Sequence, residues 1–191
     1  IFNGDNYSED WLLEAADRGL PNIRSTVEAL QAIPSREHVS VFSRQGVLSR
    51  HELKARTEIL LEGYSRQINV EALTMLSMAK RQILPACCEY SGRLGRAVSA
   101  VSDAGVAADT QKALLQKVCD GIAKLESRIK TLEEAQAEAS DTHEAGKQAA
   151  AYRDKVIPAM QTLRVAADDL ECLVDATLWP LPSYAEMLFI R

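Results

Sequence analysis

Aromatic side chains and surplus positive charge are both scarce in this chain of 191 residues. Phenylalanine, tryptophan and tyrosine make up 5% of it, and the formal net charge is −5 at pH 7. Nucleic-acid-binding proteins need clustered lysine and arginine, and those that hold single strands add aromatic side chains on which bases stack. The composition therefore argues against a nucleic-acid partner.

Long apolar runs are also missing, because no stretch approaches the roughly 20 residues that a membrane-spanning helix needs. The first residues, Ile1-Phe2-Asn3-Gly4, lack the basic leader and apolar core of a secretory signal, and no methionine opens the chain. We therefore expect a cytoplasmic protein without a membrane partner. We interpret the chain as a piece of a longer polypeptide.

Cysteine and histidine occur without the spacings that metal sites use. The four cysteines are Cys87, Cys88, Cys119 and Cys172, without a C-x-x-C pair. We interpret them as small, partly buried hydrophobic residues in a reducing compartment. The three histidines are His38, His51 and His143, without the H-E-x-x-H zinc motif. We interpret them as surface or cap-adjacent residues rather than metal ligands.

Paired carboxylates are a further candidate for chemistry. Glu133-Glu134 and Asp168-Asp169 lie off the apolar stripes of predicted helices, where charge usually marks a solvated face. General acid–base catalysis needs carboxylates in a water-poor cleft that shifts their pKa values, and the sequence shows no such cleft. We expect no catalytic role for either pair.

A glycine-containing basic stretch, Gly92-Arg93-Leu94-Gly95-Arg96, is the last candidate. It matches neither of the glycine-rich nucleotide-binding motifs and is expected to mark the fraying end of a helix. A basic stripe could be formed by Lys80, Arg81, Arg93 and Arg96. It lacks interleaved aromatic residues. We therefore predict no catalytic, cofactor-binding or metal-binding residue in the chain.

Capping and stop signals divide the first quarter of the chain into short helices. Ser8 is predicted to cap a helix that Gly19 ends. Its buried face would contain Trp11, Leu12 and Ala15. A capping box at residues 25–28 starts a second helix, and a third runs from a cap at Ser35 to a stop at Gly46.

The longest helical pattern runs from about Ser49 to Val101 and opens with a capping box, Ser49-Arg50-His51-Glu52. In its second half the apolar positions alternate four and three residues apart, which is typical of a helix packed lengthwise on another. These positions are Ile83, Cys87, Tyr90, Leu94, Ala97 and Val101. Pro85 removes one backbone hydrogen bond, so the run should bend at the preceding turn.

Two further long helices are predicted, from about Asp109 to Ser140 and from about Thr142 to Ala176. The first has an apolar seam at Leu115, Val118, Ile122, Leu125, Ile129 and Leu132. The second has a stripe at Gly146, Ala150, Arg153, Ile157, Met160, Leu163, Ala167, Leu170 and Val174. Residue counts from the two turns place Pro85 and Pro158 at nearly the same height, so we expect the two helices to bend there together.

These patterns predict an all-α fold in which short N-terminal helices precede an antiparallel three-helix bundle with a long bent helix. The predicted segments are short helices at 1–48, a helical bundle at 49–178 and an apolar tail at 179–191. The two prolines of Trp179-Pro180-Leu181-Pro182 force an extended passage in the tail. We expect the tail to pack back on the domain, against its first quarter, or against a missing part of a longer protein.

Three stretches of sequence give the chain a resemblance to a known family. They are IFNGDNYSEDW at 1–11, INVEALTM at 68–75 with AKRQILPA at 79–86, and YRDKVIPAM at 152–160 with LWPLP at 178–182 and Tyr184. Together they resemble the C-terminal region of type III glutamine synthetases, a large bacterial form of that enzyme. The segment from about Arg93 to Ala150 carries less of the resemblance.

The resemblance implies a parent enzyme that joins ammonia to glutamate by using ATP and a divalent metal, magnesium or manganese. The catalytic core of that family lies upstream, and none of its nucleotide, metal or glutamate motifs occurs here. The implied role is an accessory helical domain whose partner is the upstream catalytic domain. Because family members assemble as stacked rings, neighbouring subunits are further expected partners.

The chain is therefore predicted to be a non-catalytic C-terminal domain that serves packing, subunit assembly or regulation and makes no glutamine by itself. A free-standing helical adaptor or self-associating bundle is one alternative, and a regulatory module that binds an effector is another. A native start codon just before Ile1, rather than an open upstream reading frame, would favour the adaptor, and an upstream frame without a ligase core would contradict the main prediction.

Overall fold

The computed structural model describes residues 3–5 and 7–189, and its regular structure in those ranges consists of helices without a β-strand. The α-helices are α1 (Glu9–Asp17), α2 (Thr26–Ala32), α3 (Arg36–Arg44), α4 (Arg50–Met78), α5 (Leu84–Asp103), α6 (Asp109–Ser140), α7 (Ala145–Ala151), α8 (Ile157–Glu171) and α9 (Tyr184–Leu188). The prediction of an all-α chain is confirmed. Predictions for residues 1, 2, 6, 190 and 191 lie outside the described residues.

Two short π-helical segments interrupt the long helices, each shortly before a proline. The first π turn spans Ala79–Ile83 between α4 and α5, and the second π turn spans Tyr152–Val156 between α7 and α8. A proline within a helix lacks an N–H and crowds the carbonyl four residues earlier. The wider turns before Pro85 and Pro158 relieve that crowding, so the chain continues as helix.

Salt bridges connect both π turns to one stretch of α6. Lys80 of the first π turn pairs with Glu133, and Lys155 of the second pairs with Glu138. The two glutamates are five residues apart, which corresponds to about 7.5 Å along the axis of α6. The π turns therefore lie near one level of α6. That the two helices bend together there stays a prediction.

The chain divides into two compact units inside α4, where the first unit ends at Leu61 and the second begins at Glu62. The division predicted from sequence lies earlier, at residue 48, just before α4 begins. A cap and a helix start are local signals, whereas the limit of a compact unit depends on contacts that are distant in sequence.

Serine caps begin α2, α3 and α4, as the sequence predicts. The Ser25 hydroxyl accepts a hydrogen bond from the Glu28 backbone N–H at 3.2 Å, and Ser35 caps α3 in the same way. The Ser49 hydroxyl accepts one from the Glu52 N–H at 3.3 Å, and the Glu52 carboxylate accepts one from the Ser49 N–H at 2.8 Å. The capping box of α4 is thus complete.

Glycines end α1 and α3, again as predicted. Gly19 and Gly46 have φ angles of 67° and 66°, the left-handed conformation that commonly ends a helix. The start of α1 differs from the prediction. Ser8 occupies the cap position, but its hydroxyl donates to the Asp5 carbonyl oxygen at 2.7 Å and makes no cap bond. The Ser8 hydroxyl is therefore hydrogen-bonded within the turn that precedes α1 and does not cap the helix.

The interior of the first unit is small. Its buried residues include Val27, Leu30, Leu53, Thr57 and Leu61, and neither α1 nor α3 has one. The predicted buried face of α1 is therefore wrong. Leu12 is 49% exposed, and Trp11 and Ala15 are only half-buried. An apolar helix face indicates that a surface is covered, but it does not say which part of a protein covers it.

The core of the second unit forms around α6, which packs along both α5 and α8. Most of the predicted seam of α6 is buried: Val118, Leu125, Ile129 and Leu132. The other two seam residues, Leu115 and Ile122, are half-buried. Contributions from α4, α5, α8 and both π turns complete the core, and they include Ala72, Leu76, Ala79, Ile83, Cys87, Tyr152, Val156, Leu163 and Leu170.

The seam of the first π turn and α5 follows the prediction only in part. Ile83 and Cys87 are buried, and Tyr90, Leu94 and Val101 are half-buried, as expected. Ala97, however, is exposed, and Val98 is half-buried in its place. A straight α-helix has 3.6 residues per turn, so it drifts by about 20° per heptad from a strict four-three repeat. This drift explains the four-residue step from Leu94 to Val98.

The third long helix follows the predicted stripe only in part: Leu163, Leu170 and Val174 are buried as predicted, whereas around the second π turn the buried face is displaced from the stripe. The buried residues are Ala149, Tyr152, Val156, Ala159, Leu163, Ala166 and Leu170. Predicted stripe residues that only flank this face are Gly146, Ala150, Arg153, Ile157, Met160 and Ala167. The stripe was derived for one regular helix, whereas a π turn interrupts it here. Regular helix also ends at Glu171 rather than Ala176.

The tail packs in part on the second unit. Leu178, Trp179 and Leu181 lie against the core of that unit. Farther on, Tyr184 is 81% exposed and Phe189 is 70% exposed. A complete capping box at Ser183 starts α9, the short helix that the sequence predicts there. Within residues 179–189 the tail thus has a covered part and an uncovered part.

Candidate functional site

The residues considered for metal binding do not come together. His38, His51 and His143 are all exposed, and His38 Nδ1 lies 2.9 Å from the Ala32 carbonyl oxygen. Within residues 3–5 and 7–189, no three histidine, cysteine, aspartate or glutamate side chains are placed to hold a metal ion. These residues therefore do not fit the magnesium or manganese ion that the resemblance implies for a parent enzyme.

The paired carboxylates form salt bridges on helix surfaces. These are Lys80–Glu133, Lys124–Asp169 at 2.8 Å and Arg164–Asp168 at 3.2 Å. Glu134 is exposed. The first two salt bridges join α6 to the first π turn and to α8, and the third lies within α8. Exposed ion pairs of this kind are worth about 0–1 kcal/mol each.

The glycine-containing basic stretch lies in the interior of α5. The helix continues to Asp103, well beyond Gly95, so the expectation of a fraying end is wrong. Backbone N–H groups inside a helix bond to carbonyls of the same helix and cannot cradle a phosphate. Arg93 is paired with Glu89 at 2.8 Å, and Lys80 is paired as well, so acidic partners neutralise half of the proposed basic stripe.

Burial separates one cysteine from the others. Cys87 is fully buried, and this burial raises the pKa of its thiol to about 11. Cys88, Cys119 and Cys172 are exposed. The interpretation as partly buried hydrophobic residues is therefore right for Cys87 and wrong for the other three. A thiol with so high a pKa stays protonated at neutral pH and acts as a packing group.

The structure contains a groove that sequence reasoning missed. It encloses ≈ 590 Å³ between the second half of α4, α8 and the tail. All four methionines of the chain line it: Met75, Met78, Met160 and Met187. We call this surface the methionine groove. Its only signal in the sequence is that the methionines occur in three segments, which are α4, α8 and the tail. The sequence does not show that these segments meet.

Helix geometry explains how the methionines reach one surface. Met75 and Met78 are three residues apart in α4, so they lie on the same side of that helix. Ala79 and Ile83 of the first π turn also line the groove. Met160 comes from α8, just after the second π turn. The first π turn thus forms part of the groove wall, and π turns are frequent at functional sites.

Acidic residues predominate among the charged residues of the methionine groove. Glu71, Asp168 and Glu171 line it together with one basic residue, Arg164. Arg164 is already paired with Asp168, and Glu71 accepts a hydrogen bond only from the neutral Gln67 at 2.7 Å. Among the residues that the structure describes, Glu71 and Glu171 therefore carry negative charge without a basic partner.

Trp179 adds an unsatisfied polar group to the groove wall. Its indole Nε1 is buried, and no acceptor meets it in the described part of the chain. Leaving a buried donor unpaired costs about 1–3 kcal/mol. The groove therefore combines flexible apolar side chains, uncompensated carboxylates and one unpaired donor.

A second pocket of ≈ 440 Å³ is polar, and several of its groups are already hydrogen-bonded to one another. The Tyr152 and Ser140 hydroxyls lie 2.9 Å apart. Gln136 Nε2 donates to the Ser140 hydroxyl and to the Asn69 side-chain oxygen, each at 2.8 Å. This network joins α4, α6 and the second π turn, so it serves the packing of the second unit.

Exposed large apolar side chains are denser on the first unit than on the second. Those on the first unit are Tyr7, Leu12, Leu13, Leu20, Ile23, Val41, Val47, Ile59 and Leu60. We call this set the first-unit apolar surface. Among the described residues there are nine in a unit that ends at residue 61, against eight in the second unit, which has twice the length. Single exposed apolar residues are ordinary, whereas contiguous apolar patches often mark surfaces that bind other protein.

The structure is that of a helical domain with exposed apolar side chains, in which the described residues contain no metal-binding cluster. None of the described helices is both long and apolar enough to cross a membrane. A sequence model of the family described as "Glutamine synthetase C-terminal domain" matches residues 1–102, which is more than half of the chain. The chain belongs to this family.

Individual relatives extend the match to the whole chain. The chain is 32% identical over 197 residues to the type-3 glutamine synthetase of Dictyostelium discoideum, an alignment that covers 100% of this chain. It is 31% identical over 192 residues to a glutamine synthetase of Butyrivibrio fibrisolvens, with 99% of the chain covered. A glutamine synthetase of Bacteroides fragilis is 29% identical over 196 residues and covers 100% of the chain. The chain spans 27% of the length of each relative.

The comparisons confirm the resemblance found in the sequence. The first two quoted stretches lie within the matched residues 1–102, and the third lies beyond them but within the alignments to the relatives. Those alignments also include the segment from Arg93 to Ala150, which carried less of the resemblance by inspection.

Proposed function

We propose that the chain is the non-catalytic C-terminal helical domain of a larger glutamine synthetase, an ATP-dependent glutamate–ammonia ligase. Family membership supports this proposal, as does the chain's span of 27% of relatives that are named glutamine synthetases. ATP and the magnesium or manganese ion then bind in the remainder of the polypeptide. The parent enzyme is a cytoplasmic oligomer in this proposal.

The role of the domain is contact with the catalytic domain of the same polypeptide or with a neighbouring subunit. The first-unit apolar surface is the observation that carries this role, because α1 and α3 have no buried residue in the chain alone. Burying apolar area stabilises by about 25 cal/mol per Å², so covering such a surface would contribute several kcal/mol to assembly.

Substitutions on this surface test the contact role in the full-length parent enzyme. Leu13 is 71% exposed and Val47 is 61% exposed, so Leu13→Glu with Val47→Glu should leave the folding of the isolated chain unchanged. In the parent enzyme the same pair should weaken assembly, as measured by sedimentation velocity. The matched control is Gln31→Glu with Gln45→Glu, at exposed polar positions. An assembly as stable with the Leu13 and Val47 pair as with the control would contradict the contact role.

The non-catalytic part of the proposal has its own test. The isolated chain should form no glutamine from glutamate, ammonia and ATP with magnesium or manganese, and should hydrolyse no ATP. The full-length parent, assayed in parallel, should do both. Metal- and ATP-dependent glutamine formation by the purified chain would contradict this part of the proposal.

A further inference from the structure

The methionine groove is elongated. On α4 its lining runs from Val70 into the first π turn at Ile83, and on α8 it runs from Met160 to Glu171. At 1.5 Å per residue these walls are about 20 Å and about 16 Å long. A helix of three to four turns has this length, and the mean helix of globular proteins is about 11–12 residues long.

The lining of the groove suits apolar side chains of variable shape. Methionine is unbranched, has three rotatable bonds and is polarisable, so it adapts to different apolar anchors. Part of this lining is open to solvent, since Met187 is 58% exposed and Val70 is 60% exposed. Grooves that accept amphipathic helices bind apolar anchors at helical spacing in this way.

The charge of the groove selects among amphipathic helices. Glu71 on α4 and Glu171 on α8 place an uncompensated carboxylate on each helical wall. The one basic residue, Arg164, is paired with Asp168 and gives no free cation to attract an acidic or phosphorylated segment. Carboxylates on both walls complement lysine or arginine that flanks the apolar anchors of a bound helix.

We propose that the methionine groove is a docking site for a basic amphipathic helix of a partner polypeptide. The apolar face of this helix packs on the methionines, and its basic residues pair with Glu71 and Glu171. This inference goes beyond the domain role proposed above, because it concerns a separate surface on the second unit and does not depend on the first-unit apolar surface.

Tryptophan fluorescence of the full chain provides the test. The chain has two tryptophans, and Trp11→Phe leaves Trp179 at the groove as the only indole. The probe is a synthetic leucine–lysine peptide of about 14 residues with leucines on one helical face. Saturable change in Trp179 emission is expected with this peptide. Much weaker change is expected with the same peptide carrying glutamate for lysine, or with its sequence scrambled so that leucines share no face.

Charge reversal locates the binding. Glu71→Lys with Glu171→Lys should weaken binding of the leucine–lysine peptide by about fivefold or more at low salt, since two attractive pairs become repulsive. The control, Glu126→Lys with Glu134→Lys, makes the same change in net charge at exposed positions of α6 and should leave affinity within about twofold. Circular dichroism checks that all variants are folded.

Three results would overturn the proposal. The first is an absence of saturable binding by the leucine–lysine peptide to the Trp11→Phe chain. The second is equal or tighter binding of the glutamate peptide or the scrambled peptide, which would show that the groove prefers another class of occupant. The third is the same loss of affinity in the groove and control variants, which would leave only the net charge of the chain as the cause.

Discussion

Gly121 of α6 faces Leu170 of α8 so closely that a Cβ atom at residue 121 would lie 2.7 Å from Leu170 Cδ2 and 3.1 Å from Leu170 Cγ. Leu170 is fully buried, so its side chain has little space into which to move. Glycine costs about 1 kcal/mol relative to alanine in a helix interior. Here its missing side chain allows α6 and α8 to approach each other.

Gly121→Ala is therefore expected to lower the free energy of unfolding by about 1–3 kcal/mol, because overpacking outweighs the gain in helix propensity. Chemical denaturation followed by circular dichroism measures the change. Gly63→Ala is the matched control in α4, where no atom lies within 4 Å of the added Cβ. It should raise the free energy of unfolding by about 0.5–1 kcal/mol. A stabilising Gly121→Ala would show that the approach is not tight.

Tyr152 and Arg153 test the displaced face of the third long helix. The sequence placed Arg153 in the apolar stripe, whereas Tyr152 is 2% exposed and packs in the core of the second unit. Tyr152→Ala should lower the free energy of unfolding by about 3 kcal/mol or more. Arg153→Ala should cost less than Tyr152→Ala, because the Arg153 side chain is only half-buried and its ion pair with Asp154 lies near the surface. Urea denaturation of both variants measures the two losses in the free energy of unfolding. A larger loss for Arg153→Ala than for Tyr152→Ala would indicate that the predicted stripe, and not the observed face, is buried.

The capping box of α4 predicts a pH dependence. Hydrogen bonds from the Ser49 backbone and hydroxyl hold the pKa of the Glu52 carboxyl below its ordinary value of 4.5. Because the folded pKa is the lower one, this contribution to stability is present above the unfolded pKa and is lost as pH falls through the folded pKa. Glu52→Gln removes the titration while keeping a carbonyl oxygen that can accept the same bonds.

The wild-type chain should therefore lose more stability than Glu52→Gln when the pH is lowered from about 6 to about 3. Denaturation curves at both pH values measure this difference. Glu126→Gln, at an exposed position of α6, serves as the control. It should lose as much stability as the wild-type chain over the same change in pH. Identical pH dependence in Glu52→Gln and the wild type would contradict the role of this carboxylate.

Cys87 should resist thiol reagents in the native chain. Its burial and its pKa of about 11 keep it protonated at pH 8, whereas Cys88, Cys119 and Cys172 are exposed. Iodoacetamide labelling followed by mass spectrometry should modify three thiols quickly and Cys87 only after denaturation. Cys87→Ala should leave the rapid labelling unchanged, and Cys88→Ala should reduce it by one thiol. Rapid native labelling at Cys87 would show that the site is open.

Local rules explain which parts of the fold the sequence could predict. The Ser49–Glu52 capping box and the stops at Gly19 and Gly46 depend on residues within one turn, so their outcome was predictable. The seam of α6 was predictable because the helix is regular along its whole length. Around Pro158 the period changes at a π turn, so a stripe drawn for a regular helix missed the buried residues Tyr152 and Val156, although it included Leu163 and Leu170 farther on.

The methionine groove could not be predicted for a different reason. The sequence predicts that the tail packs back on the domain, but it does not show that the tail meets α4 and α8, because the contacts of Trp179 and Leu181 with the core are long-range in sequence. The missing cover of α1 is also a long-range property, because the apolar face containing Leu12 was recognisable while its partner was not. Patterns identify what is apolar, and tertiary contacts decide what is buried.

Hydrogen exchange of the isolated chain and of the full-length parent enzyme tests the central claim most directly. The claim is that the first-unit apolar surface, which includes Leu13 and Val47, is covered in the parent. Backbone amides of α1 and α3 should exchange at least about tenfold more slowly in the parent than in the isolated chain, while core amides of α6 should serve as the internal reference. Equal exchange of α1 and α3 in the two proteins would contradict the account.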